Sequence, residues 1–411
     1  MEQTHRVLDY PHPHLVSFEI TKKCNYRCVF CYQANRIQDS SKDVPRSEVV
    51  LGETPPHLQP ELTVDEIREH IIPQVGEMGF EVFCFVGAEP LLRFDDIIEL
   101  APDFKKLKKT LKHVEMGTNG YLLTEEKIDA YCRAYKDFTL TLNIPLDSLD
   151  PATVRKLRPP KQDAYERAIA AIELALKKGM YITSGMVVMK DNLREMDSIG
   201  KFLKKKGGFH VFQDAYPMFS SGRANEFSEL QLSPEELRQY DHYKLMHYGN
   251  PVTPWDCMPF PVSDQTWKKV EKHAFTAIIS RGCSAGNNYF NIDHAGNVYP
   301  CNFLEEYLGN VMDDPHALKT IWESNSVVQK LRNREVGGKC GACMYKNTCG
   351  GCRTRAFTET GDMFGGVESC EGGPDGHPLE PIVKKNLLKA YRTNYPAMLA
   401  YRFLKKMRLA K

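Results

Sequence analysis

The sequence predicts an α/β protein, with a partial barrel of six βα units followed by a small cysteine-rich domain. Strand-like and helix-like runs alternate from about residue 15 to about residue 225, which is the pattern of a parallel sheet covered by helices. Most of the 13 cysteines lie in short motifs, one near the start of the barrel and one beyond residue 280. The 411 residues suffice for two or three domains, and a net charge of +1 gives no indication of a nucleic-acid partner.

Six runs have the apolar or alternating pattern of strands: 16–21, 82–86, 113–117, 138–144, 181–189 and 209–216. Amphipathic runs between them, such as 63–78 and 165–178, predict helices on the outside of the sheet. The first of these helices begins with a capping box, Thr63 and Glu66. In such an architecture, ligands bind beyond the carboxyl ends of the strands, so the loops there are where functional residues are expected.

The chain is predicted to divide into five parts: an N-terminal lead (1–14), the barrel (15–230), a bridging segment (231–280), the cysteine-rich domain (281–375) and a basic helical tail (376–411). Residues 33–62 form a long polar loop that we interpret as a lid over the cavity. We expect the basic tail to be a solvated helix packed on the barrel, with contact to an anionic membrane surface or an acidic partner as the alternative. Because no signal peptide and no apolar run of about 18 residues occurs, the protein is expected to be cytoplasmic.

The first cysteine motif directly follows the first predicted strand. Cys24, Cys28 and Cys31 form a C-x3-C-x2-C run, and three thiolates hold three corners of a cubic [4Fe–4S] cluster while leaving one iron open. An open iron on a low-potential cluster binds a small chelating molecule and gives it an electron. Zinc is the alternative, but it prefers four ligands, and no fourth Cys or His closely follows Cys31.

This motif resembles that of the radical S-adenosylmethionine (radical SAM) enzymes, which have a TIM-like partial (β/α)6 barrel. In that family SAM chelates the open iron, and its reductive cleavage gives a 5′-deoxyadenosyl radical that abstracts hydrogen from the substrate. The resemblance also implies an external electron donor such as flavodoxin or ferredoxin.

The SAM contacts that the resemblance implies are Gly87, Ala88 and Glu89 for the amino group, Asn143 or Ser148 for the ribose hydroxyls, Arg158 for the carboxylate, and Phe30, Val187 and Val188 for the adenine. Ala88 replaces the second glycine of the family's G-G-E-P segment, so a slightly different backbone is expected there. Asn192 and Glu195 lie where the family often places an Asn and a Glu.

A second group of seven cysteines lies between residues 283 and 370: Cys283, Cys301, Cys340, Cys343, Cys349, Cys352 and Cys370. It resembles the SPASM domain, which carries two auxiliary iron–sulfur clusters, expected to be [4Fe–4S] clusters. By resemblance, Cys340, Cys343, Cys349 and Cys370 hold one cluster. Cys283, Cys301 and Cys352 hold the other, with Cys257 as a candidate fourth ligand.

The main functional hypothesis is a radical SAM oxidoreductase that oxidises or cross-links a side chain of a peptide or protein, with the auxiliary clusters as electron carriers. The alternative is modification of a tetrapyrrole or another small cofactor precursor, because residues 349–362 resemble the corresponding run of alternative-heme and heme d1 enzymes. A third hypothesis, from another class, is a non-catalytic electron-transfer protein. Tyr289, Asp293 and His294 are candidates for acid–base steps.

Overall fold

The computed structural model describes residues 12–33, 43–220, 222–247, 282–382 and 385. The chain forms two compact units. The barrel unit contains Leu8–Leu232 and Ser284–Glu335, and the cluster unit contains Met1–Val7, Ser233–Cys283 and Val336–Lys411. This division differs from the predicted boundaries, because residues 284–335, expected in the cysteine-rich domain, pack with the barrel.

One sheet of nine strands organises the barrel unit, in the order β6-β5-β4-β3-β2-β1-β7-β8-β9. The strands are β1 (Leu15–Glu19), β2 (Val82–Val86), β3 (His113–Gly117), β4 (Thr139–Asn143), β5 (Tyr181–Val188), β6 (Val211–Pro217), β7 (Tyr289–Ile292), β8 (Asn297–Tyr299) and β9 (Gly309–Asn310). The first six are parallel neighbours in chain order, so the predicted α/β class is confirmed. Their bounds agree with the sequence prediction to within about two residues. β7 adds to the other side of β1 in parallel, which the sequence did not indicate.

Helices follow the strands as predicted. In the barrel unit they are Val64–Glu66, Ile72–Met78, Phe94–Lys106, Glu125–Ala134, Pro151–Leu157, Ala164–Lys177, Met196–Gly207, Ala317–Ser324 and Ser326–Arg332, with a π-helical turn, Ile67–Ile71, joining the first two. The cluster unit contains Pro234–His247, Gly338–Ala342 and Arg353–Thr360. Thr63 and Glu66 form the expected capping box, in which each side chain bonds the other's backbone N–H.

The two faces of the parallel sheet differ in what covers them. Phe83 and Phe85 of β2 pack on Phe104 of a neighbouring helix, with ring centroids 4.7 and 5.4 Å apart, so this face carries the apolar core. Alternate residues point to the opposite face, which we call the inner face. In register across four strands, the inner face presents Ser17, Cys84, Glu115 and Thr141.

The described half of the loop 33–62 is fastened to the sheet. The Lys22 ammonium, at the end of β1, forms an ion pair with Asp43 and donates to the carbonyl oxygen of Gln59 at 2.8 Å. The backbone N–H of Leu62 donates to the carbonyl oxygen of His294 at 2.8 Å. Residues 43–62 are therefore anchored at both of their ends, and residues 34–42 lie outside the described part of the chain.

No helix in the described ranges is long and apolar enough to cross a membrane. The predicted tail lies outside those ranges beyond residue 385, as do the lead up to residue 11 and the bridge from residue 248 to residue 281, including Cys257.

Candidate active site and cluster sites

The three cysteines of the first motif lie in the loop after β1, and each thiol has a hydrogen-bond donor. Cys24 Sγ accepts from the backbone N–H of Tyr26 at 3.3 Å, and the Cys31 thiol accepts from the backbone N–H of Gln33. Cys28 Sγ accepts from Arg158 Nη1 at 3.7 Å. Donors of this kind stabilise the sulfur ligands of iron–sulfur clusters, so the loop fits such a cluster.

Burial raises the pKa of Cys24 and of Cys31 to about 12. Without a metal these thiols remain protonated at neutral pH, whereas a bound iron supplies the positive charge that stabilises the thiolates. No disulfide bond is formed by any of the twelve described cysteines. In the described part of the chain, no three His, Cys, Asp or Glu side chains converge as ligands of a single ion. The thiolates of a cubic cluster need not converge in this way, because each of them binds a different iron.

The turn after β2 requires a glycine at one position only. Gly87 has φ +127°, and a Cβ there would lie 2.7 Å from the carbonyl oxygen of Thr21. Ala88 is not in the left-handed region, and its N–H donates to the same carbonyl oxygen at 3.0 Å. The backbone at Ala88 therefore suits an alanine, and the expected difference from the family's turn stays a prediction.

Glu89 joins the turn after β2 to the loop after β3. Its carboxylate accepts from Thr118 Oγ1 at 2.7 Å, from the Asn119 N–H at 2.9 Å and from the Leu91 N–H at 3.0 Å. Burial raises the pKa of Glu89, and these hydrogen bonds oppose that rise. The Glu89 side chain is fully buried, so it stabilises the turn from the protein interior through these hydrogen bonds.

Hydrogen bonds among three segments of the chain hold Arg158 beside the first cysteine motif. Its Nε donates to the Asp147 carboxylate, and the other oxygen of Asp147 accepts from the Val187 N–H at 3.0 Å. Asn192 Nδ2 donates to the Asp147 carbonyl oxygen at 3.0 Å. Burial lowers the pKa of Arg158, but Asp147 and the Cys28 sulfur outweigh this effect and raise it above the ordinary value. The guanidinium also lies over the Phe30 ring, 5.0 Å from its centroid.

Not all of the residues predicted to contact SAM have an accessible side chain on the inner face of the barrel. Phe30 and Val187 pack on the same apolar cluster, whereas Val188 points to the opposite face and is fully buried. Ser148 is also fully buried, and its Oγ donates to Glu195 Oε1 at 2.7 Å. Asn143 lies on the inner face at the end of β4. Of the two ribose candidates, Asn143 is therefore the one with an accessible side chain.

The three acid–base candidates occupy different environments. Asp293 Oδ1 accepts from the N–H groups of Ala295 and Asn297, and Oδ2 accepts from Asn297 Nδ2 and from Tyr299 Oη. His294 bonds to the carbonyl oxygen of Pro56. The Asp293 contacts close the β7–β8 turn and the His294 contact joins this turn to the segment 43–62, while an acid–base role for either residue stays a prediction. Tyr289 lies on the inner face, with its hydroxyl 2.5 Å from Ser17 Oγ.

An aromatic cluster that the sequence did not reveal lies at the carboxyl ends of β1 and β6. The ring centroid of Phe303 lies 4.9 Å from Tyr32, 5.7 Å from Tyr216 and 5.1 Å from Phe219. Three of these rings, all but Phe219, keep accessible surface. Tyr32 directly follows Cys31, so the cluster borders the first motif. Its members come from three distant segments, which explains why no sequence pattern indicated it.

The cluster unit contains a cavity lined by five predicted iron–sulfur ligands: Cys340, Cys343, Cys349, Cys352 and Cys370. Basic side chains, Lys244, Lys339, Lys346 and Arg355, also line it. Four of the thiols accept a backbone N–H: Cys340 from Val367, Cys343 from Tyr345, Cys349 from Gly351 and Cys370 from Gly372. These four are the ones that the resemblance assigns to one cluster, and their surroundings fit it.

The walls of this cavity leave room beside the sulfur atoms. Gly351 has φ +68°, and a Cβ there would lie 2.6 Å from Cys340 Sγ. A Cβ at Gly372 would lie 3.5 Å from Cys370 Sγ and 3.8 Å from Cys343 Sγ. Cys301 belongs to the barrel unit, whereas Cys283 and Cys352 belong to the cluster unit, and the grouping of these three cysteines remains a prediction.

Comparison with known proteins decides the family. The sequence profile of the radical SAM superfamily matches residues 18–203, and that of SPASM, an iron–sulfur cluster-binding domain, matches residues 283–344. An AdoMet-dependent heme synthase of Methanosarcina barkeri is 30% identical over 363 residues, which cover 86% of this chain and 94% of the relative. The chain belongs to the radical SAM family. A pre-heme d1 synthase of Dinoroseobacter shibae is 24% identical, with 87% of this chain and 85% of that protein covered.

Solved structures show the same fold for this radical SAM protein. anSMEcpe with bound AdoMet matches with a TM-score of 0.58 and 18% identity, covering 94% of this chain and 98% of that one. Streptococcus suis SuiB bound to the precursor peptide SuiA matches with a TM-score of 0.60 and 17% identity, covering 89% and 77%. Identities this low show the fold alone.

Membership in the family confirms several expectations. The protein is an enzyme, so the non-catalytic hypothesis is wrong. It has a radical SAM barrel that binds a [4Fe–4S] cluster with SAM, and a SPASM region that binds auxiliary iron–sulfur clusters. Peptide modification is not confirmed, because two relatives that this chain matches over more than nine-tenths of their length are heme synthases.

Proposed function

We propose that this radical SAM enzyme modifies a side chain of a tetrapyrrole. The observation that carries the proposal is the match to the M. barkeri heme synthase, which covers 86% of this chain and 94% of that protein. Tetrapyrrole modification therefore takes precedence over peptide oxidation, the hypothesis favoured first by the sequence.

The aromatic cluster around Phe303 supports a flat substrate. Planar rings pack on aromatic side chains in offset or edge-to-face arrangements, and Tyr32, Tyr216 and Phe303 keep accessible surface for such contacts. Because Tyr32 is bonded to Cys31, a macrocycle on this cluster lies beside the reaction centre.

The residues of the barrel have distinct proposed roles. When bound, the cluster and SAM supply a carbon radical that removes a hydrogen atom from the substrate. Cys24, Cys28 and Cys31 hold the cluster. Arg158 has its Nε on Asp147 and its Nη1 on Cys28, and its remaining N–H groups bind the SAM carboxylate. The backbone of the Gly87 turn receives the SAM amino group, and Phe30 with Val187 receives the adenine.

In the cluster unit, Cys340, Cys343, Cys349 and Cys370 hold an auxiliary cluster. Four thiolates leave no open iron, so this cluster carries electrons and does not bind substrate. Cys283, Cys301 and Cys352 hold the second. A flavodoxin or ferredoxin supplies the electron for SAM cleavage, and the protein works in the cytoplasm.

The test is anaerobic turnover of the reconstituted protein with dithionite, SAM and an iron porphyrin. Iron coproporphyrin III is a suitable probe, because an M. barkeri relative that is 24% identical is named as an Fe-coproporphyrin III synthase. We expect 5′-deoxyadenosine in step with a change in porphyrin mass, and metal-free coproporphyrin III serves as the control for the role of the iron. If 5′-deoxyadenosine forms while neither porphyrin changes mass, the protein remains a radical SAM enzyme and the tetrapyrrole proposal is wrong.

A further inference from the structure

Two residues of the inner face, Gly117 and Gly185, have no side chain, and we call the part of the inner face beside them the hollow. Gly117 ends β3 and Gly185 lies in β5, and neither has a φ in the left-handed region. A Cβ at Gly117 would meet Val86 Cγ1 at 3.4 Å, and one at Gly185 would meet Asn143 Oδ1 at 3.3 Å, so the inner face lies beside both. Since the backbone does not require glycine at these two positions, the missing side chains leave space.

Glu115 lies next to this hollow on the same face of β3, two residues before Gly117. Its strand neighbours in register are Cys84 of β2 and Thr141 of β4. Val114 and Met116, which point to the opposite face, are buried under the helices. Glu115 by contrast keeps accessible surface, which faces the inside of the barrel. A molecule in the hollow can therefore reach its carboxyl group.

Glu115 differs from the other inner-face carboxylates in having no partner. In the described part of the chain it forms no hydrogen bond or ion pair, and burial alone raises its pKa to about 7. Glu19 by contrast accepts from Asn291 Nδ2 at 2.9 Å, and Asp214 accepts from the Tyr216 hydroxyl. The strands β1–β9 contain no Lys or Arg, and their one basic residue is His113, two residues before Glu115 on the same face of β3.

A carboxyl group enclosed by protein without a partner is unfavourable for folding, and such groups concentrate at functional sites. A structural role would require a contact that fixes a strand or loop, as Glu89 has with Thr118 and Asn119. Glu115 has none, so a missing ligand is the better explanation of its position.

We propose that Glu115 is a substrate-binding residue whose uncharged carboxyl group donates a hydrogen bond to a carboxylate side chain of the tetrapyrrole, seated in the hollow between Gly117 and Gly185. The proposal rests on the proposed function. An O–H donor to a carboxylate forms one of the stronger protein hydrogen bonds, whereas a charged Glu115 would repel the same group. The contact selects a porphyrin with an acidic arm pointing into the barrel.

Equilibrium binding of iron coproporphyrin III to the reconstituted holoenzyme, followed by its visible absorbance without reductant at pH 6.5, tests this contact. Glu115→Gln keeps an uncharged donor, so its Kd is expected to stay within about threefold of the wild type. Glu115→Ala removes the donor, and its Kd is expected to rise about tenfold or more, as for loss of a hydrogen bond to a charged group. Glu126→Gln, at an exposed carboxylate on the barrel exterior, is the matched control and should change nothing.

Iron content and 5′-deoxyadenosine formation without porphyrin verify that each variant is folded and loaded. If wild-type protein binds the porphyrin and Glu115→Ala binds it equally well, the Glu115 contact is wrong while the proposed function stands. If Glu115→Gln loses as much affinity as Glu115→Ala, the proposal that Glu115 acts as an uncharged hydrogen-bond donor is wrong. If the wild-type holoenzyme binds no porphyrin, the proposed function fails, and the Glu115 contact fails with it.

Discussion

The two cysteine regions stabilise sulfur in different ways. In the cluster unit, backbone N–H groups bond the four thiols predicted to share one cluster, from Val367, Tyr345, Gly351 and Gly372. In the first motif each thiol also has a backbone N–H, which for Cys28 is its own, but Cys28 in addition accepts from the guanidinium of Arg158. The first arrangement is set by the path of the chain, and the second depends on a charged side chain held by other side chains.

This difference matches the tasks that we propose for the two sites. A closed cluster that only passes electrons needs a fixed potential, which backbone donors provide. An open cluster has to couple electron transfer to ligand binding. Arg158 contacts the Cys28 sulfur and, in our proposal, also binds SAM, so a single residue links the cluster to the bound ligand. Asp147 and Asn192 fix its direction.

The largest expected contrast is between cysteines of the two regions. Replacing Cys24, Cys28 and Cys31 together by Ala should abolish 5′-deoxyadenosine formation and leave roughly eight of about 12 irons per chain, because one of three cubic clusters is lost. Replacing Cys349 by Ala should leave SAM cleavage intact while porphyrin turnover falls. The measurements are iron analysis and product chromatography under anaerobic conditions. If the triple variant still formed 5′-deoxyadenosine, the assignment of the SAM-cleaving cluster to the first motif would be wrong.

The glycine turn gives the next largest contrast, within the barrel alone. Gly87→Ala places a Cβ against the Thr21 carbonyl at a position with φ +127°, so the turn must shift, and we expect SAM affinity to fall by about 100-fold or more. Ala88→Gly is the matched control. Since Ala88 is not in the left-handed region, this change should alter the Kd of SAM by less than about threefold. Equilibrium dialysis with labelled SAM measures both, and equal losses in the two variants would contradict the assigned roles.

Strand positions were predictable because buried parallel strands leave a periodic apolar signal, and the first six strands lie within about two residues of their predicted bounds. The proximity of the cysteines within the first motif and of those around residue 340 was predictable because ligand spacing is local, and their grouping into clusters stays a prediction. The Phe303 cluster, the Cys28–Arg158 contact and the unpaired Glu115 were not, since each depends on segments that the sheet register brings together. The hydrogen bonds that Asp293 accepts in the β7–β8 turn were likewise not predictable from its place in the sequence.

The two regions should also respond differently to pH. In the cluster unit, Arg355 is paired with Asp241 at 2.7 Å and with Glu359 at 2.9 Å, so its charge does not change near neutrality. In the barrel, Glu115 is uncharged below its pKa of about 7 and becomes charged above it. If only the uncharged form binds, affinity for iron coproporphyrin III should fall about tenfold between pH 6 and pH 8.

Two residues that face Glu115 from neighbouring strands stay uncharged in that range, and His113, two residues before it on the same face of β3, is the adjacent titratable group. Cys84, which faces Glu115 from β2, has a pKa raised well above the ordinary value by burial and by Glu115 itself, so it remains a neutral thiol. The facing residue of β4 is Thr141, which does not ionise, and the other inner-face carboxylates, Glu19 and Asp214, lie on β1 and β6. Glu115→Gln should therefore flatten the pH dependence of binding. A profile that keeps its slope in this variant would assign the titration to another group.

The smallest expected effect is also the most direct measure of the difference between the regions. Arg158→Gln removes a positive charge and a donor from the Cys28 sulfur, so the more negative reduced cluster is destabilised and the midpoint potential should fall by about 60 mV, the equivalent of roughly tenfold for one electron. Arg158→Lys keeps the charge without the fork and should give an intermediate shift. Arg27→Gln is the control, because Arg27 is exposed and its Nη1 donates to the Cys24 and Tyr26 carbonyl oxygens rather than to sulfur. Potentiometric titration followed by electron paramagnetic resonance, without SAM, measures the cluster itself. Equal potentials in wild type and Arg158→Gln would mean that the core cluster, like the auxiliary one, is governed by backbone donors alone.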